Sequence, residues 1–425
     1  MSVTVSWDRV RFLVNKFRER LWVRPLMVCL LSIGAAFVAK LFDSTMLRLY
    51  VPEITSESIE ELLSIMAASM LVIATFSVAS MVSAYAAASS TATPRAFSLV
   101  VADDASQNAL SAFVGAFIFS VVALTAVKNG YFDVAGLFIL FVLTAFVFAL
   151  IIFTFVRWVD GIARLGRIGS TMDKVEMATG KALKRRRDAP TLNASLARTQ
   201  PEGQAVLAAK VGYVQHIDMP ELQEWAKKAN ARIVVAALPG TFATPDRPLA
   251  YVNSDSDNPV ALDYQEIVQA FQVGTERRFD DDPRFGLVVL SEIAGRALSP
   301  SVNDPGTAIE IVGRLVRLFH LWSEPAEEND DNGLLYDRVE VPVISVRDMF
   351  EDAFTAIARD GAGHVEVSVR LQKALYSLTS TGDKSMRDAA SYNSRLALER
   401  SRIAMDVPED LKAVRDAASF DTENP

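Results

Sequence analysis

Cysteine is nearly absent from this chain: Cys29 is the only one in 425 residues, and it lies in an apolar run. Histidine is almost as scarce, with His216, His320 and His364 standing far apart. These counts exclude a disulfide framework and a Cys/His metal centre, since each needs several such residues at close spacing. No metal or cofactor is expected. A nucleophile elbow, a glycine-rich phosphate loop and an HExxH helix are also missing, so no catalytic residue is nominated and an enzyme is the least favoured class. No Asp, Glu or Arg sits in the middle of any long apolar run, which argues against a proton relay or charged carrier site inside a bilayer.

What the sequence has in quantity is apolar surface. Hydrophobic residues make up 51% of the chain and mean hydropathy is +0.22, yet 22% of residues are charged. The combination points to a membrane section joined to a soluble section. Four apolar runs stand out, at residues 26–42, 62–88, 109–127 and 134–156. At ~1.5 Å per residue each is long enough for a ~30 Å hydrocarbon core with modest adjustment, so a domain of four transmembrane helices is expected over residues 25–156. Pro25 suits a first helical turn, and Lys40 can snorkel to the far interface. No small-residue cleavage site follows the first run, so it is expected to remain as an anchor.

Charge sets the orientation. Residues 1–24 interleave six Lys/Arg with Trp7, Val10, Val14, Phe17 and Leu21 at helical spacing, the pattern of an interfacial amphipathic helix. A helix packed on the soluble section is the alternative. Residues 157–187 carry nine basic and three acidic residues, whereas residues 43–61 carry five acids against Arg48 alone. The positive-inside rule then places both termini in the cytoplasm. The basic neck over residues 157–204 suits anionic headgroups, and the acidic remainder of the chain suits cytosol rather than nucleic acid.

Two features inside the membrane section draw attention. Helix two carries Ser77, Ser80, Ala84 and Ala87 along one face, and helix three has Ser111 and Gly115 at small-xxx-small spacing. Such faces either let helices pack closely or line a narrow polar path. Between these helices, "TPRAFSLVVADDASQN" places Arg95, Asp103, Asp104 and Gln107 at the cytoplasmic interface, where they can cap helix three or couple the membrane and cytosolic sections.

The soluble section reads as α+β. Residues 205–253 form a small strand-rich module: "AVLAAKVGYVQHI", a helix capped by Asp218 with Pro220 in its first turn, then "ARIVVAALPG" and "RPLAYV". A compact β-barrel is expected there. Residues 254–425 read as a helical domain, with helices near 262–273, 283–298, 307–322, 347–359, 363–379 and 384–404 and a solvated acidic loop at 323–333.

Within that domain, "RALSPSVNDPGTAIEI" breaks two helices. Asp282-Pro283 and Asp304-Pro305 are helix-start signals, and Glu310 lies four residues before Arg314 for an intrahelical pair. Capping accounts for much of the break, but Arg296, Ser299, Asn303, Asp304 and Thr307 also form a candidate ligand or interface cluster.

The string "FGLVVLSEIAGRALSPSVNDPGTA" resembles the signature of a bacterial family of predicted membrane proteins, domain-of-unknown-function family 2254. "TPRAFSLVVADDASQNALSAFVGAFI", "GYVQHIDMPEL", "LPGTFATPDRPL" and "FQVGTERRFDDDP" carry the same resemblance in the same order across nearly the whole chain. It implies a four-helix inner-membrane region with a cytosolic domain, and no established reaction. Ser301 and Val302 stand where that family favours glycine, which implies a reshaped turn. Two functions follow as expectations. One is an oligomeric ion channel or small-solute pathway lined by helix two and gated by the cytosolic domain. The other is a membrane-tethered sensor or scaffold that binds a ligand or protein through that domain.

Overall fold

The computed structural model describes residues 23–41, 51–91, 93–101, 104–164, 167–197, 203–254, 263–326 and 334–418. The amphipathic segment expected over residues 1–24 lies almost wholly outside these, as do Asp103 and most of the acidic loop. The chain divides between Thr171 and Met172 into two compact units.

The first unit is helical: α1 (Val23–Leu41), α2 (Ser56–Thr91), a 3-10 turn (Pro94–Ala96), α3 (Phe97–Val101), α4 (Asp104–Lys128) and α5 (Val134–Arg164). Among the described residues, three helices are long and apolar enough to cross a membrane, over Ser56–Ala87, Ser106–Lys128 and Val134–Ile162. The expected first span is the exception to the count of four. Among the described residues its apolar stretch is Pro25–Leu41.

α4 is the hub of this unit and packs along α1, α2 and α5. Of its span 44% is buried, against 17% for α5. The reason is side-chain size. On α4, Ala109, Ala116 and Ala123 alternate with Phe113 and Phe119 and bring neighbours close on several sides. At Gly115 a Cβ would overlap Val28 of α1, so only glycine admits that approach. α5 instead turns Phe146, Phe153 and Val156 outward, an apolar face suited to lipid.

The second unit begins on α6 (Ile168–Asp188) and carries two sheets. The larger has the order β1 (Ala194–Leu196), β8 (Tyr336–Val341), β4 (Ala231–Val235), β6 (Pro248–Ser254), β2 (Gln204–Leu207), with β8 parallel to both β1 and β4. The smaller is antiparallel, β5 (Phe242–Ala243), β3 (Gly212–Ile217), β7 (Phe271–Gly274). Two open sheets replace the expected barrel. The module also recruits β7 from the end of an expected helix and β8 from the stretch assigned to the helical domain, because Ile233, Val252, Phe271, Val339 and Val341 share one core. α7 (Met219–Lys228) starts where expected, with the Asp218 side chain accepting from the Glu221 N–H.

The expected helix at 262–273 shrinks to α8 (Gln265–Ala270), and its end becomes β7. The remaining helices are α9 (Pro283–Ala297), α10 (Pro305–Ser323), α11 (Val346–Asp360), α12 (Val365–Thr379), α13 (Lys384–Ala404) and the unanticipated α14 (Pro408–Ala418). α9 packs on α10 and α11, while α12 packs on α10, α13 and α14. Phe319, Phe350 and Phe354, all buried, meet with ring centroids 4.3 to 5.6 Å apart and tie α10 to α11.

Candidate functional site

The seam between α9 and α10 satisfies itself locally. Ser299 Oγ donates to the Arg296 carbonyl at 2.7 Å and lies 3.2 Å from Ser301 Oγ. Asn303 has φ +49°, the left-handed conformation that asparagine tolerates better than most residues, and its N–H donates to the Ser299 carbonyl. The Asp304 N–H returns to the Ala297 carbonyl at 2.8 Å. Asp304 then caps α10: Oδ1 accepts from the Thr307 N–H at 3.0 Å and Oδ2 from the Thr307 hydroxyl at 2.6 Å. These bonds, the hydroxyl first, hold the Asp304 carboxyl below its ordinary range. Arg296 is exposed on α9. These bonds account for the backbone turns of the seam as a helix junction.

Two of the four residues on the small face of α2 are buried in packing. Ser77 is fully buried, Ala84 is buried, Ser80 is half-buried and Ala87 is exposed. Ser77 and Ala84 lie on the same stripe as Met66, Met70, Ala74 and Met81, and the Ser77 hydroxyl donates to its own helix at the Ile73 carbonyl, 2.7 Å away. Ser111 does the same to Gln107. Of the interface residues, Arg95 is exposed, Gln107 is buried and Asp104 is the first residue of α4.

The arginine run that ends α6 is where the second unit departs most from the sequence reading. Arg185 hydrogen-bonds the Asp280 carbonyl and lies 3.9 Å from the Asp281 carboxylate. Arg186 donates to the Pro342 carbonyl at 3.2 Å. Arg187 donates to the Leu321 carbonyl and the Glu324 carboxylate, at 2.9 and 3.0 Å. Consecutive arginines thus hold the loop before α9, the end of β8 and the end of α10. Each is engaged by carbonyls or carboxylates of the same unit. Arg186 is 4% exposed, its Nε has no hydrogen-bond partner and no carboxylate lies within ion-pair distance among the described residues. Burial lowers its pKa to about 10, with Asp281 opposing the shift.

Beside this clamp lies a tight carboxylate lock. Asp282 is 3% exposed, caps α9 through Phe285 and receives Arg277 bidentately, Nε at 2.7 Å and Nη2 at 3.1 Å. Gly240, at φ +93°, lies against that carboxylate, and a Cβ there would overlap it. Burial pushes the Asp282 carboxyl up despite Arg277. His216 Nδ1 and Asp281 Oδ2 meet at 2.7 Å nearby. Further along α6, Arg314 of α10 joins Glu310 at 2.6 Å, the pair expected from spacing, and also Asp173 and Glu176 at 2.7 Å.

A cleft of about 770 Å³ opens on the same unit, where the turn after α6, the end of α10, the loop after β8 and the starts of α11 and α13 converge. Its chemistry comes from Trp322, Ser345, Arg347, Asp388, Tyr392 and Arg395. The Arg347 guanidinium lies 4.6 Å over the Tyr392 ring and bonds Glu351 at 3.0 Å, forming a flat cationic platform. Asp383, also in the lining, is occupied in capping α13 through the Met386 N–H at 3.0 Å, the bond that most lowers its pKa. Asp388 and the Trp322 indole have no hydrogen-bond partner among the described residues. The volume falls within the ~300–1,000 Å³ usual for small-molecule sites. Sequence reading missed the cleft because its walls come from four separate stretches with no shared motif.

Two mycobacterial proteins of unassigned role resemble part of the chain. One from Mycobacterium tuberculosis (strain CDC 1551 / Oshkosh) and one from Mycobacterium bovis are each 31% identical over 128 residues, which is 29% of this chain and 25% of theirs. The chain therefore matches only about a quarter of the length of these relatives. No solved structure matches. The family described as "Predicted membrane protein (DUF2254)" matches residues 18–377, and with apolar helices of spanning length already in place, the chain belongs to that family of multi-pass membrane proteins.

Proposed function

We propose that the protein is a sensor anchored in the bacterial inner membrane, with both termini cytoplasmic, whose second unit takes up a small ligand in the cleft. The observation that carries this is the cleft itself, lined by the Arg347–Tyr392 stack, with Asp388 and the Trp322 indole free of hydrogen-bond partners among the described residues. The arginine clamp supplies a route for the signal. Arg186 holds the carbonyl of Pro342 and Arg187 that of Leu321, each one residue from the lining residues Val343 and Trp322, and Pro190 lines the cleft just beyond α6. A ligand that shifts these walls acts on α6, which follows α5 in the chain. Lys181 and Lys184 remain exposed on α6 and suit anionic headgroups. The role is binding, without bond-making chemistry.

The test is hydrogen exchange on the full chain in lipid nanodiscs, with and without the small-molecule fraction of bacterial cytosol. Protection of residues 343–347 together with slowed exchange in α6 is expected. Unchanged exchange at both places removes the sensor reading.

A gated pathway for ions or small solutes in a homo-oligomer is a second reading. Thr75, Ala79 and Ser83 share an exposed face of α2 away from the packed stripe, and no charge interrupts the middle of the spans. Unitary currents from purified protein in planar bilayers would favour it; silence across voltage and pH would remove it.

A further inference from the structure

The seam between α9 and α10 gains a role from its place in the second unit. α6 and α10 run antiparallel. Arg187 meets the Leu321 carbonyl at one end, Gly180 packs on Leu318 in the middle, and Asp173 and Glu176 meet Arg314 at 2.7 Å at the other. Pro305 precedes Arg314 by nine residues, so it lies about 14 Å farther along α10, in the direction of the start of α6. The last apolar span ends at Ile162 and α6 begins at Ile168. Roughly 20 Å at full extension is therefore the most that can separate that start from the end of the span. The seam thus belongs to the bilayer-proximal end of the unit. α11 ends there too, since Leu298 reaches Gly361, and so does α13, whose Ala404 carbonyl lies against Gly363. The opposite ends of α6, α10, α11 and α13 converge on the cleft.

The proximal end carries two apolar side chains that the fold leaves uncovered. Val302, at the tip of the seam, is 50% exposed, and Ile403, in the last turn of α13, is 80% exposed. A lone exposed apolar residue is ordinary. What sets Val302 apart is the turn beneath it. Its N–H and that of Asn303 donate to the Ser299 carbonyl, and the Asp304 N–H donates to the Ala297 carbonyl. With those three groups already bonded, the tip leaves water at less polar cost than an open loop would. Exposed charge at this end is mixed, Arg296 and Arg402 against Asp406 and Glu409, so attraction to anionic headgroups is not what the surface offers.

We propose that this end of the second unit rests on the bilayer, with Val302 and Ile403 inserted at the headgroup–acyl boundary. The occupant is lipid because the short connection from the last span holds this surface within reach of the bilayer at all times, at an effective concentration no diffusing partner matches. α10, α11 and α13 then join a bilayer contact at one end to the cleft at the other. The contact stands whether or not the cleft takes a ligand.

The experiment is spin-label accessibility on the full chain carrying Cys29→Ser, in nanodiscs holding one copy each. Val302→Cys and Ile403→Cys carry the labels, and Val343→Cys, exposed at the cleft end, is the reference. Collisions with oxygen, which partitions into lipid, should exceed those with a water-soluble nickel chelate several-fold at residues 302 and 403 relative to residue 343. The excess should persist in about 0.5 M salt, where the Debye length is roughly 4 Å. Val302→Asp should reduce it at the residue 403 label. All three labelled positions are exposed, so each variant should keep the wild-type melting temperature. Water-like collisions at either proximal label overturn the proposal. Exclusion of both oxygen and nickel also overturns it, since that marks cover by protein, and loss of the excess in high salt removes apolar insertion as its basis.

Discussion

Asn303 shows how much a single backbone angle can decide. At φ +49° a β-branched side chain is strained, whereas glycine is not. Asn303→Val should destabilise the second unit by about 1–2 kcal/mol, and Asn303→Gly should stay within about 1 kcal/mol of wild type, as read from denaturant midpoints. A partner-binding residue would lose function in both variants without this split in stability. The Arg277–Asp282 pair is a costlier case. Removing one member of a buried ion pair strands the other, so Arg277→Ala should cost about 3–5 kcal/mol at neutral pH. The sign with pH follows from Asp282. Its folded pKa lies above the ordinary value of 3.8, so its protonated form favours the fold. That contribution is full below 3.8 and is lost as pH rises through the folded value. The Arg277→Ala penalty should therefore shrink on acidification toward pH 4, measurable as converging melts of mutant and wild type. A penalty that grows on acidification would refute the assignment.

Among the elements, α6 is the one whose role changed most between sequence and structure. Its arginines read from the sequence as a headgroup-facing run, because the chain shows charge but not the carbonyls of Asp280, Leu321 and Pro342 that claim it. Arg187→Ala should speed hydrogen exchange in the last turn of α10 and leave α13 unchanged. Close packing sets the same helix against α9: a Cβ at Gly286 would collide with Thr179 of α6. Gly286→Ala is expected to cost about 1–3 kcal/mol by overpacking, and adding Thr179→Ala should recover part of it in a double-mutant cycle. Helix starts, by contrast, were legible. Asp-Pro pairs mark the beginnings of α9 and α10, and Asp218 marks that of α7, because capping is chemistry among near neighbours. Strands β7 and β8 were hidden, since their partners β3 and β4 lie far off in the chain and neither segment shows strong alternation. The cleft was hidden for the same reason.

For the whole molecule, composition alone announced two parts, and the chain does divide at residue 171. The number of spans was harder to read. Apolar length separates a run that clears the hydrocarbon thickness from one that falls just short, and residues 26–42 sit at that margin. Reporter fusions test the topology. Fusions after residue 164 and at the C-terminus should report cytoplasm, and a fusion in the turn at 129–133 should report the opposite side. A cytoplasmic signal from that turn would remove the proposed orientation.

The position of β8 has a consequence for how the protein is made. Among the described residues β8 is the sole sheet partner of β1, and it covers one edge of β4, yet it begins at Tyr336, long after β1 ends at Leu196. At roughly 5–20 residues per second a ribosome needs on the order of ten seconds to cross that interval. Throughout it the nascent chain carries an orphan strand and an open edge, prone to pairing with the wrong neighbour. Synthesis of this protein thus has a vulnerable period fixed by strand order, and a message truncated before Tyr336 would leave it permanently in that state.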